Sequence, residues 1–264
     1  MPELPEVEII KLGIQNQLPK EAIKEIKLLR KDLRFPLPLR ELKDLKNKSI
    51  LSVDRRGKFL ILKTNTHHFI SHLGMTGHWR YEATYAPIKH DHVVIEWSNI
   101  NLIYNDPRRF GYILKFDQNT FKNFGPDPIH DQLDSNDFYS KAKKSNTPIK
   151  SWILNQKNIL GVGNIYASEI LFKTKIKPTK ITSKLKFNDW INIITETKNV
   201  LNEAIKKGGS SLRDYKNVAG EQGDMQNHWQ VYGQENSKCN ICQTTIKKIT
   251  QSNRSSYFCP TCQK

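Results

Sequence analysis

The sequence predicts an α+β protein of more than one domain: an opening helix, an antiparallel sheet system of sandwich type, a helical second part and a metal-stapled hairpin at the end. Three observations carry this. Short β-rich runs separated by turn residues fill 50–116, apolar residues recur at helical spacing beyond a proline- and glycine-containing segment, and the four cysteines stand as two Cys-x2-Cys pairs.

Leu4, Val7, Ile10 and Ile14 follow a helical period, and Pro2, Glu3, Pro5 and Glu6 stand where orphan N–H groups and the helix dipole favour them, so a helix is expected almost from residue 2. The expected strands are Ile50–Val53, Lys58–Lys63, Phe69–Leu73, His92–Trp97, Asn101–Tyr104 and Tyr112–Phe116. Phe124-Gly125-Pro126-Asp127-Pro128 reads as a linker, with a boundary near 130. Helices are then expected over Pro148–Leu154, Ile165–Phe172 and Phe187–Ile205, the last ended by Lys206-Lys207-Gly208-Gly209. Tyr215–Asn227 is polar and reads as a loop. No internal repeat is visible. The divisions expected are 1–130, 131–225 and 226–264.

Lys and Arg number 42 against 26 Asp and Glu, a net charge of +16, so a polyanionic partner is indicated. With 37% hydrophobic residues the chain is not a disordered basic tail. No run reaches the length of a membrane span, and the acidic start has no apolar signal core, so a cytoplasmic protein with no membrane partner is expected. Cysteines confined to 239–262 suit a local metal site in a reducing compartment.

Cys239, Cys242, Cys259 and Cys262 have the spacing of a tetrahedral zinc site, one structural ion, with two disulfides as the weaker reading. Five basic residues and no acidic one between 236 and 264 suggest phosphate contact. Gly161-Val162-Gly163-Asn164 runs into a helix, either a phosphate seat or only a tight turn. Removal of Met1 would make Pro2 a terminal amine of pKa ~7.7–8.0, against ~10.4 for lysine, and so a nucleophile near neutral pH. Locally, Pro2 and Glu3 read equally as ordinary helix-start residues. His90 and His92 lack a third ligand at a recognisable spacing.

Pro2-Glu3-Leu4-Pro5-Glu6-Val7-Glu8, His72-Leu73-Gly74-Met75-Thr76-Gly77, Asp106-Pro107-Arg108-Arg109-Phe110-Gly111, Gly161-Val162-Gly163-Asn164-Ile165-Tyr166-Ala167-Ser168-Glu169 and the four cysteines together resemble the bacterial formamidopyrimidine-DNA glycosylases. The matches run in the family's order from 2 to 262. The resemblance implies an N-terminal β-sandwich flanked by helices, a helix-two-turn-helix domain and a zinc finger, acting as a monomer on double-stranded DNA with oxidised purines, in the bacterial cytoplasm and at the nucleoid. It implies a glycosylase and abasic-site lyase: Pro2 forms the Schiff base, Glu3 donates a proton, Glu6 supports them. It also implies that Met75, Arg108 and Phe110 fill the space left by the flipped nucleotide, and that Lys58, His72, Asn164 and Arg254 grip phosphates. Lys58 and Arg254 further stand as proton donors for β- and δ-elimination.

Taken without the resemblance, Met75 and Phe110 would read as core residues. The endonuclease VIII type, acting on oxidised pyrimidines, is the nearest alternative; Leu4, Met75 and the Arg108–Phe110 motif stand against it. A non-catalytic zinc-ribbon DNA-binding protein explains the charge and cysteines but leaves Pro2-Glu3 unused, and an RNA-associated basic protein leaves Met75, Arg108 and Phe110 unused. Two positions depart from the family pattern: Gln234 stands where an arginine is common, and Asn155 where many relatives carry an aspartate.

Overall fold

A computed structural model describes residues 1–210 and 223–264. They pack as two compact units, one of residues 1–122 with the described part of 208–224, the other of 123–207 and 225–264.

In the first unit, α1 (Leu4–Gln17) starts two residues later than the spacing suggests. Glu3 is extended at φ −101°, ψ −173° and serves as the N-cap residue, because its N–H is taken by Glu6 Oε2 at 2.9 Å. Leu4, Val7, Ile10 and Ile14 are all fully buried. β1 (Glu25–Leu28) and the short α2 (Leu39–Lys43) follow. Then come β2 (Ile50–Arg56), β3 (Phe59–Thr64), β4 (His68–His72), β5 (His78–Glu82), β6 (Asp91–Glu96), β7 (Asn101–Asn105) and β8 (Tyr112–Lys115).

Two four-stranded antiparallel sheets result, in the orders β1-β6-β7-β5 and β2-β3-β4-β8. Their inner faces share one core with α1, including Val7, Ile14, Val53, Leu62, Phe69, Trp79, Val93 and Tyr104. The six expected strands are present within a few residues at their ends. β1 and β5 were not expected: β1 has four residues, and β5 is mostly polar. The alternation of Trp79 and Tyr81 with His78, Arg80 and Glu82 is the signal for β5.

The topology fixes the place of two loops. The 73–77 connection leaves β4 in one sheet and enters β5 in the other, and the 106–111 connection leaves β7 and returns to β8. Since His72 pairs with Tyr112 and His78 with Asn105, both feet of the two loops are neighbours. The loops therefore run side by side. Gly74 makes this possible: it has φ +60°, and a Cβ there would come within 2.7 Å of the Phe110 carbonyl oxygen.

The second unit contains α3 (Ser135–Lys143), α4 (Ile149–Leu154), α5 (Asn164–Lys173) and α6 (Phe187–Lys206). Asp134 caps α3 by accepting from Asn136 N–H at 2.9 Å, a helix start that the linker reading of this region passed over. Gly208, at φ +75°, follows the last residues of α6 as the cation-and-glycine ending predicts. Trp152 and Trp190 meet edge to face at 4.7 Å, with Phe138 at 5.9 Å from both. The chain ends in a two-stranded hairpin, β9 (Lys247–Gln251) and β10 (Arg254–Phe258). The predicted loop 215–227 falls mostly, over 215–222, outside the described residues; Met225–His228 forms a single 3-10 turn with Met225 buried.

Trp190 is fully buried among these rings. Trp190→Ala should destabilise the unit by about 3–5 kcal/mol, read as a lowered denaturant midpoint at unchanged slope.

Candidate active site and metal centre

At the start of α1 the chain terminus is tied down. Glu6, buried, spends Oε2 on Glu3 N–H and Oε1 on Ser210, accepting from its N–H and its Oγ at 2.9 Å each. Gly209 lies against the same carboxylate with φ +72°, a backbone that suits glycine and leaves no room for a larger neighbour. Glu3 and Lys58 are buried as well, and Pro2 is half-buried. The amine of Met1, itself 49% exposed, feels Glu3, Glu6, Lys58 and Arg108; burial first, then the two cations, lower its pKa below the ordinary value against the pull of the carboxylates. Removal of Met1 would put the amine on half-buried Pro2 beside the same carboxylic groups and lysine, which can give and take protons.

Lys58 begins where the β2–β3 turn ends, and a buried ion pair fixes that turn. Arg55, with no exposed side chain, meets Glu8 Oε2 at 2.6 Å and donates to the Gly57 carbonyl at 3.0 Å. Burial opposes the Glu8 charge, but hydrogen bonds from Lys11 and Arg55 outweigh it and hold the carboxyl below its usual value. Beside them His72 stacks on Tyr112 at 5.1 Å and 14°, with Phe59 at 5.0 Å. Burial, aided by Lys58 and Arg34, lowers its pKa to about 4. The ring is thus neutral at pH 7. Nδ1 accepts from Gly74 N–H at 3.1 Å, which leaves Nε2–H as an uncharged donor.

Met75 and Phe110, which pattern alone would bury, are 45% and 43% exposed at the tips of the two adjoining loops. Arg108 is exposed too, its guanidinium 4.5 Å from the centre of the Phe110 ring. A groove of about 520 Å³ lined by Leu33, Arg34, Arg108, Arg109 and Phe110 opens beside them. Three arginines in one groove favour an anion.

In the second unit, Gly163 is the N-cap of α5 and Asn164 its first residue. The Asn164 amide does not cap the helix; Nδ2 donates to the Ser255 carbonyl at 3.1 Å. Lys150, also buried, reaches the same carbonyl at 2.8 Å and Ser256 Oγ at 2.9 Å. Ser255 follows Arg254, which is exposed just past the Ser252-Asn253 turn, both of whose residues have φ near 50°. Lys150 and Asn164 therefore hold the arginine-bearing strand to α4 and α5. Glu169 anchors the segment leading to the finger, accepting from the N–H groups of Gln230, Val231 and Tyr232 at 2.8–3.0 Å; burial still raises its pKa against those three bonds. The sequence reading passes over Lys150 and gives Glu169 no role beyond its place at the end of the 161–169 motif. A charged residue inside an apolar helical stretch is the signal for each.

The four cysteine sulfurs lie within 4.8 Å of one another. Cys239 and Cys262 Sγ are 3.9 Å apart and Cys242 and Cys259 Sγ 3.4 Å. A tetrahedron with Zn–S bonds of about 2.3 Å has edges of about 3.8 Å, so the cage fits one structural zinc. The sulfurs are too far apart for disulfides.

Three family models match the chain: the formamidopyrimidine-DNA glycosylase N-terminal domain over residues 1–113, its H2TH domain over 124–216, and a zinc finger found in FPG and IleRS over 236–264. The formamidopyrimidine-DNA glycosylase of Psychromonas ingrahamii is 37% identical, with the whole of both chains covered. The chain belongs to the formamidopyrimidine-DNA glycosylase family.

Solved structures agree with that assignment. A Lactococcus lactis FPG mutant in complex with Fapy-dG-containing DNA matches with a TM-score of 0.92 at 36% identity, each chain fully covered. The wild-type L. lactis enzyme in complex with DNA containing an oxidised pyrimidine matches with a TM-score of 0.90 at 35% identity, again over both full chains. The α+β architecture with an H2TH region and a terminal zinc finger is thereby established for this glycosylase, and the finger is its metal centre. Among the described residues no helix is long and apolar enough to cross a membrane.

Two outcomes follow from the centres described. Metal analysis of reduced glycosylase should give one zinc per chain, and Cys239→Ser or chelation should raise hydrogen exchange across β9 and β10 while 1–122 keeps its protection. For His72, the folded pKa near 4 lies below the ordinary 6.5, so the unfolded chain binds the extra proton first. Its contribution is complete above pH 6.5 and is lost as pH falls towards 4. Melting temperature should drop more steeply over that window in the wild type than in His72→Gln.

Proposed function

We propose that this DNA glycosylase of base-excision repair flips oxidised purines out of duplex DNA, removes them through an N-terminal proline Schiff base, and then cleaves the strand as an abasic-site lyase. The observation that supports the reading is half-buried Pro2 at the head of α1, next to buried Glu3, with buried Glu6 and Lys58 near enough to act on the amine that precedes it. With Met1 removed, the Pro2 nitrogen attacks C1′ of the deoxyribose as the damaged base leaves with the bonding electrons. The nitrogen then loses its proton, its lone pair expels the ring oxygen, and Glu3 protonates that oxygen as the ring opens. The resulting iminium draws electrons from C2′, so loss of a C2′ proton expels the 3′ phosphate and a second elimination expels the 5′ phosphate. Glu6 supports the pair by holding the helix start against Ser210.

Lys58 and Arg254 serve as proton donors in the two eliminations or as phosphate contacts, with His72 as a neutral donor and Asn164 through the N–H not spent on Ser255. Met75 and Phe110 are the apolar wedges and Arg108 the partner of the orphaned cytosine; their exposure supports this over core packing. Residues 1–130, 131–225 and 226–264 act as catalytic, DNA-gripping and finger divisions, in the bacterial cytoplasm and at the nucleoid. The relative bound to an oxidised pyrimidine favours a second substrate class at the same site.

Borohydride should trap a covalent adduct on duplex DNA with 8-oxoguanine opposite cytosine. Pro2→Gly should lose most trapping, and Glu3→Gln should lose base release while still binding DNA. An enzyme that forms no adduct on either this duplex or a pre-formed abasic duplex does not work through an iminium.

A further inference from the structure

The two loops that carry Met75 and Arg108–Phe110 share one buried carboxylate. Asp106 has no exposed surface. Its Oδ1 accepts from Thr76 Oγ1 at 2.6 Å and from Arg108 N–H at 3.3 Å, and its Oδ2 accepts from Gly111 N–H at 2.8 Å. Thr76 Oγ1 is itself 3.3 Å from Arg108 N–H, so the hydroxyl stands between the loops as both donor and acceptor. The Asp106 carbonyl is held by His92 Nε2 at 2.9 Å and by Arg109 N–H at 3.3 Å. Every one of these bonds lies within two residues of Met75, Arg108 or Phe110.

We propose that Asp106 and Thr76 are positioning residues that bracket the two loops into one preassembled wedge, and that the choice of base opposite the lesion depends on this bracket. The inference rests on the wedge reading of Met75, Arg108 and Phe110 given above. Strand pairing sets the feet of the loops, but the tips are exposed and each loop has only short stretches of backbone to stiffen it. Loops ordered only at the moment of insertion would spend binding energy on their own ordering. A guanidinium also tells one base edge from another only while its direction is held, because hydrogen bonds weaken steeply with angle. The bracket supplies that hold from inside the protein, where the carboxylate meets no competing water. Met75 and Arg108 then enter DNA as parts of one body.

The test uses full-length, zinc-loaded enzyme with Thr76→Val, which removes the hydroxyl at nearly constant shape; Thr76→Ser, which keeps it; Arg108→Ala; and the Thr76→Val/Arg108→Ala double variant. Two readouts are taken: amide exchange over 106–111 in free enzyme, and single-turnover excision of 8-oxoguanine opposite cytosine and opposite adenine. Thr76→Val should speed exchange by about tenfold and narrow the cytosine-to-adenine ratio by about threefold or more. Thr76→Ser should keep both values, and the double variant should be no worse in ratio than Arg108→Ala alone. Unchanged exchange in Thr76→Val overturns the bracket. Equal losses in the serine variant, or additive losses in the double variant, overturn it too, since the hydroxyl would not be acting through Arg108. If Arg108→Ala leaves the ratio unaltered while Thr76→Val still speeds exchange, the wedge reading fails and takes with it the link to base choice. Asp106→Asn, where it folds, should reproduce Thr76→Val in both readouts.

Discussion

Everything at the reactive end of this protein depends on how one carboxylate, Glu6, is satisfied. A chain terminus normally frays into water, where its amine is protonated and mobile. Here Glu6 caps the first turn of α1 with one oxygen and takes Ser210 with the other. Both oxygens are spent on donors, so a buried acidic group is tolerated and the segment before α1 is fixed rather than frayed. The Glu6 charge itself pulls the Met1 amine upward, against the burial and the cations that lower it, so what Glu6 contributes is position.

The remaining groups are held by the same device, a polar or charged side chain kept inside and bonded to backbone and to other side chains. Arg55 bridges Glu8 and the Gly57 carbonyl and so places Lys58. Lys150 and Asn164 converge on the Ser255 carbonyl beside Arg254. Glu169 collects three successive N–H groups on the way to the finger. Lys58 and Arg254 thus each stand next to buried polar anchors. Such anchors contribute little net stability, but removing one partner strands a buried charge, which makes the geometry sharply defined.

His72 shows why charge alone is a poor guide in a protein of net charge +16. Burial among aromatic rings, aided by Lys58 and Arg34, keeps it neutral, so it offers an uncharged donor beside a charged lysine. A neutral donor of this kind keeps its hydrogen-bonding capacity throughout the physiological pH range.

The sequence by itself determined whatever is local. Helical period located α1, α4, α5 and α6, two Cys-x2-Cys pairs located the metal, and the family was legible because each of its motifs is contiguous. β1 and β5 were missed because four residues, or a mostly polar run, carry too weak a period, and α3 because Phe138 and Ala142 are its only buried residues and mark too short an apolar stripe. Tertiary structure alone decided what depends on sheet pairing and burial. The register of β4 with β8 and of β5 with β7 makes neighbours of two loops some thirty residues apart, and so gives Asp106 two loops to bond. Folding turns Met75 and Phe110 outward although their composition suits a core, and it desolvates His72. No spacing in a sequence encodes these outcomes, because hydrogen-bond partners and dielectric surroundings come from chain segments that meet only on folding.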